Sequence, residues 1–139
     1  MMYWDSSAIL PLVVEEEATA RCEARYREDS QVVTWWATRI ECASALNRLH
    51  REGTLGDEEV RKSLADLTTL AATWIEVQPT EKVRDRALRL LRVHPLRAAD
   101  ALQLAASLVA SSENPQALPF VSNDERLTAA AIKEGFPIA

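Results

Sequence analysis

Two patterns in the sequence predict an α/β protein built on a mostly parallel sheet with helices on both faces. Five short apolar or β-branched runs, at residues 2–4, 32–34, 74–77, 119–121 and 137–139, recur between seven longer stretches of helical periodicity. Strands that alternate with helices pair in parallel, and their crossover helices cover both faces of the sheet. The chain has 139 residues, 47% of them hydrophobic. A chain of that length buries roughly 70% of the surface it exposes when unfolded, so one domain over residues 1–139 needs neither disulfide nor metal to hold its core.

The elements follow in order. Met2-Tyr3-Trp4 leads into a helix at about 7–13, for which Ser6 and Ser7 are available caps and which Pro11 shortens or kinks. Helices at about 15–28 and 36–51 flank Val32-Val33-Thr34. Gly53 and Gly56 close the loop before a helix at 57–72, and Trp74-Ile75-Glu76-Val77 follows it. Thr80 with Glu81 opens the helix at 80–92, and the helix at 97–112 is apolar on most sides, hence central in its layer. Ser111 to Pro119 is a surface loop before Pro119-Phe120-Val121. Gly135 ends the helix at 125–134, ahead of Pro137-Ile138-Ala139.

Composition narrows the function classes. With Lys and Arg at 16 against Asp and Glu at 21, the formal net charge is -5, which excludes a protein that coats nucleic acid by bulk electrostatics but not an enzyme that acts on it. The apolar segment from Ala8 to Val14 has no basic residue before it and Glu15, Glu16 and Glu17 after it, unlike a signal peptide or a membrane span. Cys22 and Cys42 lack metal-ligand spacing and read as buried free thiols of a cytoplasmic protein. Gly53, Gly56 and Gly135 are the only glycines, too few for a P-loop or a dinucleotide-binding turn. Hydrolases with a nucleophilic aspartate after the first strand need a second acid two residues on, where this chain has Ser7.

Four carboxylates stand in apolar company. Asp5 directly follows the first apolar run and Asp124 closely follows the fourth, which places both beyond the carboxyl ends of parallel strands, where ligands bind in open α/β sheets. Glu41 shares a helix face with Ala37, Thr38, Ser44, Ala45 and Arg48, small and faintly polar. Asp100 sits in the apolar helix, where an unpaired charge costs several kcal/mol. A structural ion pair with Arg97, one turn earlier, is the plain explanation of Asp100 taken alone. The four together point to function: an oxygen-only set with no His or Cys nearby suits a hard cation, Mg²⁺ or Mn²⁺. His50 and His94 read as surface or capping residues.

The ordered set Asp5-Ser6-Ser7-Ala8, Ile40-Glu41-Cys42-Ala43-Ser44-Ala45-Leu46, Leu96-Arg97-Ala98-Ala99-Asp100-Ala101-Leu102-Gln103-Leu104-Ala105 and Val121-Ser122-Asn123-Asp124-Glu125-Arg126-Leu127 resembles the PIN-domain ribonuclease family, most closely its VapC-like toxins. The resemblance runs over the whole chain. It implies a three-layer α/β/α PIN-like domain with about five strands. It also implies a Mg²⁺- or Mn²⁺-dependent endoribonuclease, with Asp5, Glu41, Asp100 and Asp124 as catalytic, metal-binding acids and Ser7 and Ser122 as supporting hydroxyls. The implied partners are an RNA substrate, a small cognate antitoxin that covers the pocket, and a second copy in a homodimer. Two departures stand out: Asn123 occupies a place where some relatives carry another acid nearby, and the last strand is short.

Arg39, Arg48 and Arg97 are the candidate substrate contacts. The basic segment 82–97 reads as a solvated helix face or a phosphate track, and Trp35 and Trp36 as packing residues rather than base-stacking ones. The rival reading is a non-catalytic interaction module on the same fold.

Overall fold

In the computed structural model, which describes residues 1–139, four parallel strands run side by side. β1 (Met2–Trp4) lies between β2 (Val32–Trp35) and β4 (Phe120–Val121), and β3 (Ile75–Val77) adds to the far side of β2, in the order β3-β2-β1-β4. Tyr3 stands opposite Val33 on one side and Phe120 on the other, and Val33 opposite Ile75. The expected fifth strand at 137–139 contributes one parallel bridge, between Phe120 and Ile138. Pro137 has no amide proton, so it accepts from Phe120 N at 2.8 Å but cannot extend the ladder as a donor.

Because successive side chains of a strand point to opposite faces, the sheet sorts its residues into two cores. Tyr3, Val33, Trp35 and Phe120 face a layer made by α5 (Glu81–Val93), α6 (Ala98–Ala110) and α7 (Glu125–Lys133). Trp4, Val32 and Val121 face α1 (Ser6–Ile9), α2 (Thr19–Glu28), α3 (Thr38–Arg51) and α4 (Asp57–Ala71). This is the three-layer arrangement expected from the sequence. α6 is the central helix of its layer: Leu104, Ala105 and Ala106 are fully buried, and it packs on α5, α7, β2 and β3.

Local chemistry explains the boundaries. Pro11 cuts α1 short, and the chain passes through a 3-10 turn at Leu10–Leu12. The next helix starts at Thr19 rather than at 15; the Thr19 hydroxyl accepts from Glu16 N at 2.8 Å and lies 2.9 Å from Pro11 O, tying that turn down. Thr80 caps α5, accepting from Val83 N at 3.4 Å. Gly53 and Gly135, with φ of +80° and +99°, terminate α3 and α7 in the left-handed region open to glycine. One expectation needs correction and another is narrowed. Asp5, not Ser6 or Ser7, is the N-cap residue of α1, and the serine hydroxyls are turned to carboxylates instead. His94 is the C-cap residue of α5, its N donating to Leu90 O at 2.9 Å, as the capping alternative expected, but it is buried rather than on the surface, with its ring Nε2 3.1 Å from Glu134 Oε1. No helix is long and apolar enough to cross a membrane.

Candidate metal centre

The end of β1 delivers Asp5 to the carboxyl edge of the sheet, where it is 3% exposed. Its Oδ1 accepts from the Ser7 hydroxyl at 2.8 Å. That hydroxyl in turn accepts from Asn123 N at 2.8 Å and lies 3.3 Å from Ser122 Oγ, while Asn123 Nδ2 donates to Ser7 O at 2.8 Å. The loop after β4 is thereby stitched to the start of α1. Burial pushes the Asp5 carboxyl up to about 7, against the opposing pull of hydrogen bonds from Ser7, Ser122 and Ala8.

Glu41, half-buried on α3, accepts the Ser6 hydroxyl at 2.7 Å and the Gln103 amide at 3.3 Å, both on Oε2. Burial raises its pKa, the two donors oppose the rise, and the negative charge of Asp100 adds to it. Asp100 lies in the first turn of α6; burial and then the charge of Asp124 raise its pKa, while Arg97 and Arg126 pull it back. Asp124 caps α7 through Oδ1, which accepts from Leu127 N at 2.8 Å. The same edge therefore gathers acids from the end of β1, α3, α6 and the start of α7, with Glu41 coupled by charge to Asp100 and Asp100 to Asp124.

None of the chain's ion pairs includes Asp5, Glu41, Asp100 or Asp124. The Arg97–Asp100 pair that would have made Asp100 structural is not formed. No three His, Cys, Asp or Glu side chains close into a preformed ligand cluster. Glu41 feels the charge of Asp100, and Asp100 that of Asp124, at Coulombic range. The donor set of the four acids is all oxygen, and Arg97 and Arg126 act on Asp100 only through space, without an ion pair, which fits a hard divalent cation.

The PIN domain family matches residues 2–133. The chain belongs to the PIN-domain family. Among solved structures, this PIN domain is similar to PAE2754 from Pyrobaculum aerophilum, with 20% identity, a TM-score of 0.61, and 94% of this chain and 84% of that one covered. It is also similar to FitAcB from Neisseria gonorrhoeae, at 15% identity and TM-score 0.65 over 99% and 96% of the two chains. FitAB bound to an IR36 DNA fragment matches at 14% identity and TM-score 0.66, over 100% and 94%. At such identities the likeness is one of fold. No curated protein matches the chain in sequence.

In this PIN domain, the candidate substrate contacts separate. Arg48 lines a cleft of about 280 Å³ together with Ser6, Ser7, Leu10, Glu41 and Ser44. Arg39 instead donates to Thr68 Oγ1 on α4 at 2.9 Å. Arg97, the N-cap residue of α6, acts on Asp100 through its charge. In the basic segment, Arg84, Arg86 and Arg89 pair with Glu81, Glu113 and Glu134, the pattern of a solvated helix face. Trp35 is core and Trp36 is 44% exposed.

Three residues of the site escaped the sequence reading: Ser6, Gln103 and Asn123. Gln103 had a signal, being a long polar side chain in the apolar run from Ala101 to Ala106 and three residues after Asp100, on the same helix face. Asn123, read as a departure from the family pattern, has a structural reason to be an amide: an aspartate has no proton to donate to the Ser7 carbonyl.

Proposed function

We propose that this PIN-domain protein is a Mg²⁺- or Mn²⁺-dependent endoribonuclease and the toxin of a cytoplasmic toxin–antitoxin pair. One observation carries the reading: four carboxylates from four separate elements share one sheet edge with none of them in an ion pair, and burial raises the pKa of Asp5, Glu41 and Asp100. Asp5, Glu41 and Asp100 hold the ion, and Asp124 completes the set with the oxygen its cap leaves free. A divalent ion bound there lowers the pKa of its water and polarises a phosphoryl oxygen, which is what phosphodiester hydrolysis at neutral pH requires.

The chain's own residues do the rest. Ser7 and Ser122 fix the Asp5 carboxylate, and Ser6 fixes that of Glu41. Arg48, two turns along α3 from Glu41 and lining the same cleft, provides positive charge for the RNA backbone. The inhibitory partner is a small antitoxin whose basic side chain meets the acids; the active protein is a homodimer.

A fluorescent single-stranded RNA incubated with Mn²⁺ tests the reading. Cleavage is expected to stop on addition of chelator, and to fall by roughly 100-fold or more in Asp5→Asn and in Asp100→Asn. Cleavage that survives the chelator, or both substitutions, overturns the metal site. A folded protein that cuts no RNA and takes up no divalent ion is a non-catalytic interaction module instead.

A further inference from the structure

A buried hydrogen-bond chain runs into the site from below. The Tyr3 hydroxyl donates to Gln103 Oε1 at 2.8 Å, and Gln103 Nε2 donates to Thr38 Oγ1 at 2.9 Å and to Glu41 Oε2 at 3.3 Å. Thr38 Oγ1 lies 2.8 Å from Thr34 Oγ1, which donates to Trp4 O at 2.6 Å. Tyr3, Thr34, Thr38 and Gln103 are all essentially inaccessible to solvent. The Tyr3 ring is held by stacking on Phe120, with centroids 5.2 Å apart. Four polar side chains in the heart of an α/β layer are costly unless each is satisfied, and here each is.

The chain has one direction. A carboxylate only accepts, so Gln103 must turn its NH₂ to Glu41 and its carbonyl to Tyr3. Tyr3 must then donate. Reversing the amide would set Gln103 Oε1 against Glu41 Oε2, oxygen against oxygen. Ser6 and Gln103 both bind Oε2, and no protein group donates to Oε1.

We infer that Gln103 is a positioning residue whose amide, oriented by Tyr3, pins Oε2 of Glu41 so that Oε1 is left free for the divalent ion. The inference rests on the metal-site reading of Glu41 proposed above. Ser6 alone leaves the Glu41 carboxylate free to swing about one hydrogen bond. Gln103 removes that freedom, and Tyr3 removes the freedom of Gln103.

Mn²⁺ titration calorimetry on the intact protein tests this, alongside RNA cleavage. Gln103→Leu is expected to weaken Mn²⁺ binding roughly 10- to 100-fold, the usual cost of losing a partner of a metal ligand. It should lower kcat with KM for RNA unchanged, and raised Mn²⁺ should restore the rate. Tyr3→Phe keeps the amide but lets it turn, and weakens binding several-fold. The double variant is expected to be no worse than Gln103→Leu, because Tyr3 acts through Gln103. Ser107→Ala, which removes a buried hydroxyl of the same helix that bonds only Leu104 O, leaves Mn²⁺ binding unchanged.

Should Gln103→Leu fail to fold, Tyr3→Phe decides. Wild-type Mn²⁺ affinity in either variant overturns the inference, and so does a loss in Ser107→Ala as large as that in Gln103→Leu, which would mean general loosening of α6. If the wild-type protein itself takes up no Mn²⁺, the metal-site reading fails and this inference falls with it; if only the variants match wild type, the reading stands.

Discussion

Asp5 carries a charge in a place that resists it. Burial raises its carboxyl from 3.8 to about 7, so the folded chain holds a proton that the unfolded chain releases near pH 4. The folded state therefore binds more protons across that window, and its stability falls as pH rises through it. From Asp5 alone the loss is on the order of 4 kcal/mol, complete above the folded pKa, and the raised values of Glu41 and Asp100 act in the same direction. In chelator, Asp5→Asn removes the charge at nearly constant volume, and is expected to melt higher than wild type at about pH 8 but not at about pH 4. Calorimetry across pH checks this. A metal-free wild type that gains stability between about pH 5 and pH 7 would contradict the assignment.

At the scale of elements, α6 both completes one core and presents Asp100 and Gln103 to the site. Leu104 on its inner face is fully buried, whereas Leu88 on α5 is 57% exposed, so chemically identical truncations should diverge. Leu104→Ala is expected to cost about 2–5 kcal/mol in urea unfolding with little change in m, and Leu88→Ala less than about 0.5 kcal/mol. Equal costs would show that α6 is not the central helix of its layer. The short strands make this matter. β1 and β4 pair over only two register positions, so the edge that carries Asp5 and Asp124 is kept in place by helices packed on both faces rather than by ladder length.

For the whole molecule, the net charge of -5 takes on a local meaning: four of the 21 acids converge on one edge, and the remainder nearly balances the 16 bases. A cation that binds the folded site and not the unfolded chain stabilises by mass action, about 2.7 kcal/mol at a hundred times its Kd. Mn²⁺ is expected to raise the melting temperature, more at about pH 8 than at about pH 5, where protons compete for the same oxygens. Thermal scans with and without chelator measure the difference, and a Mn²⁺ effect that does not grow with pH would contradict carboxylate binding.

The sequence by itself determined the alternation of strands and helices, and with it the parallel sheet, its two cores, and the positions of Asp5 and Asp124 at strand ends. Periodicity, Pro11, Thr80 and the glycines act within a few residues, so these features are local and legible. Only the tertiary structure decided which donors meet which acids. Gln103 reaches Glu41 across 62 residues and Asn123 reaches Ser7 across 116, and Ser6 and Ser7 turn from capping to holding carboxylates. His94 is buried because Glu134, 40 residues on, folds against it. Hydrogen-bond partners are chosen by packing, where a buried polar group must be satisfied by whatever the fold brings near, and sequence spacing does not encode that choice.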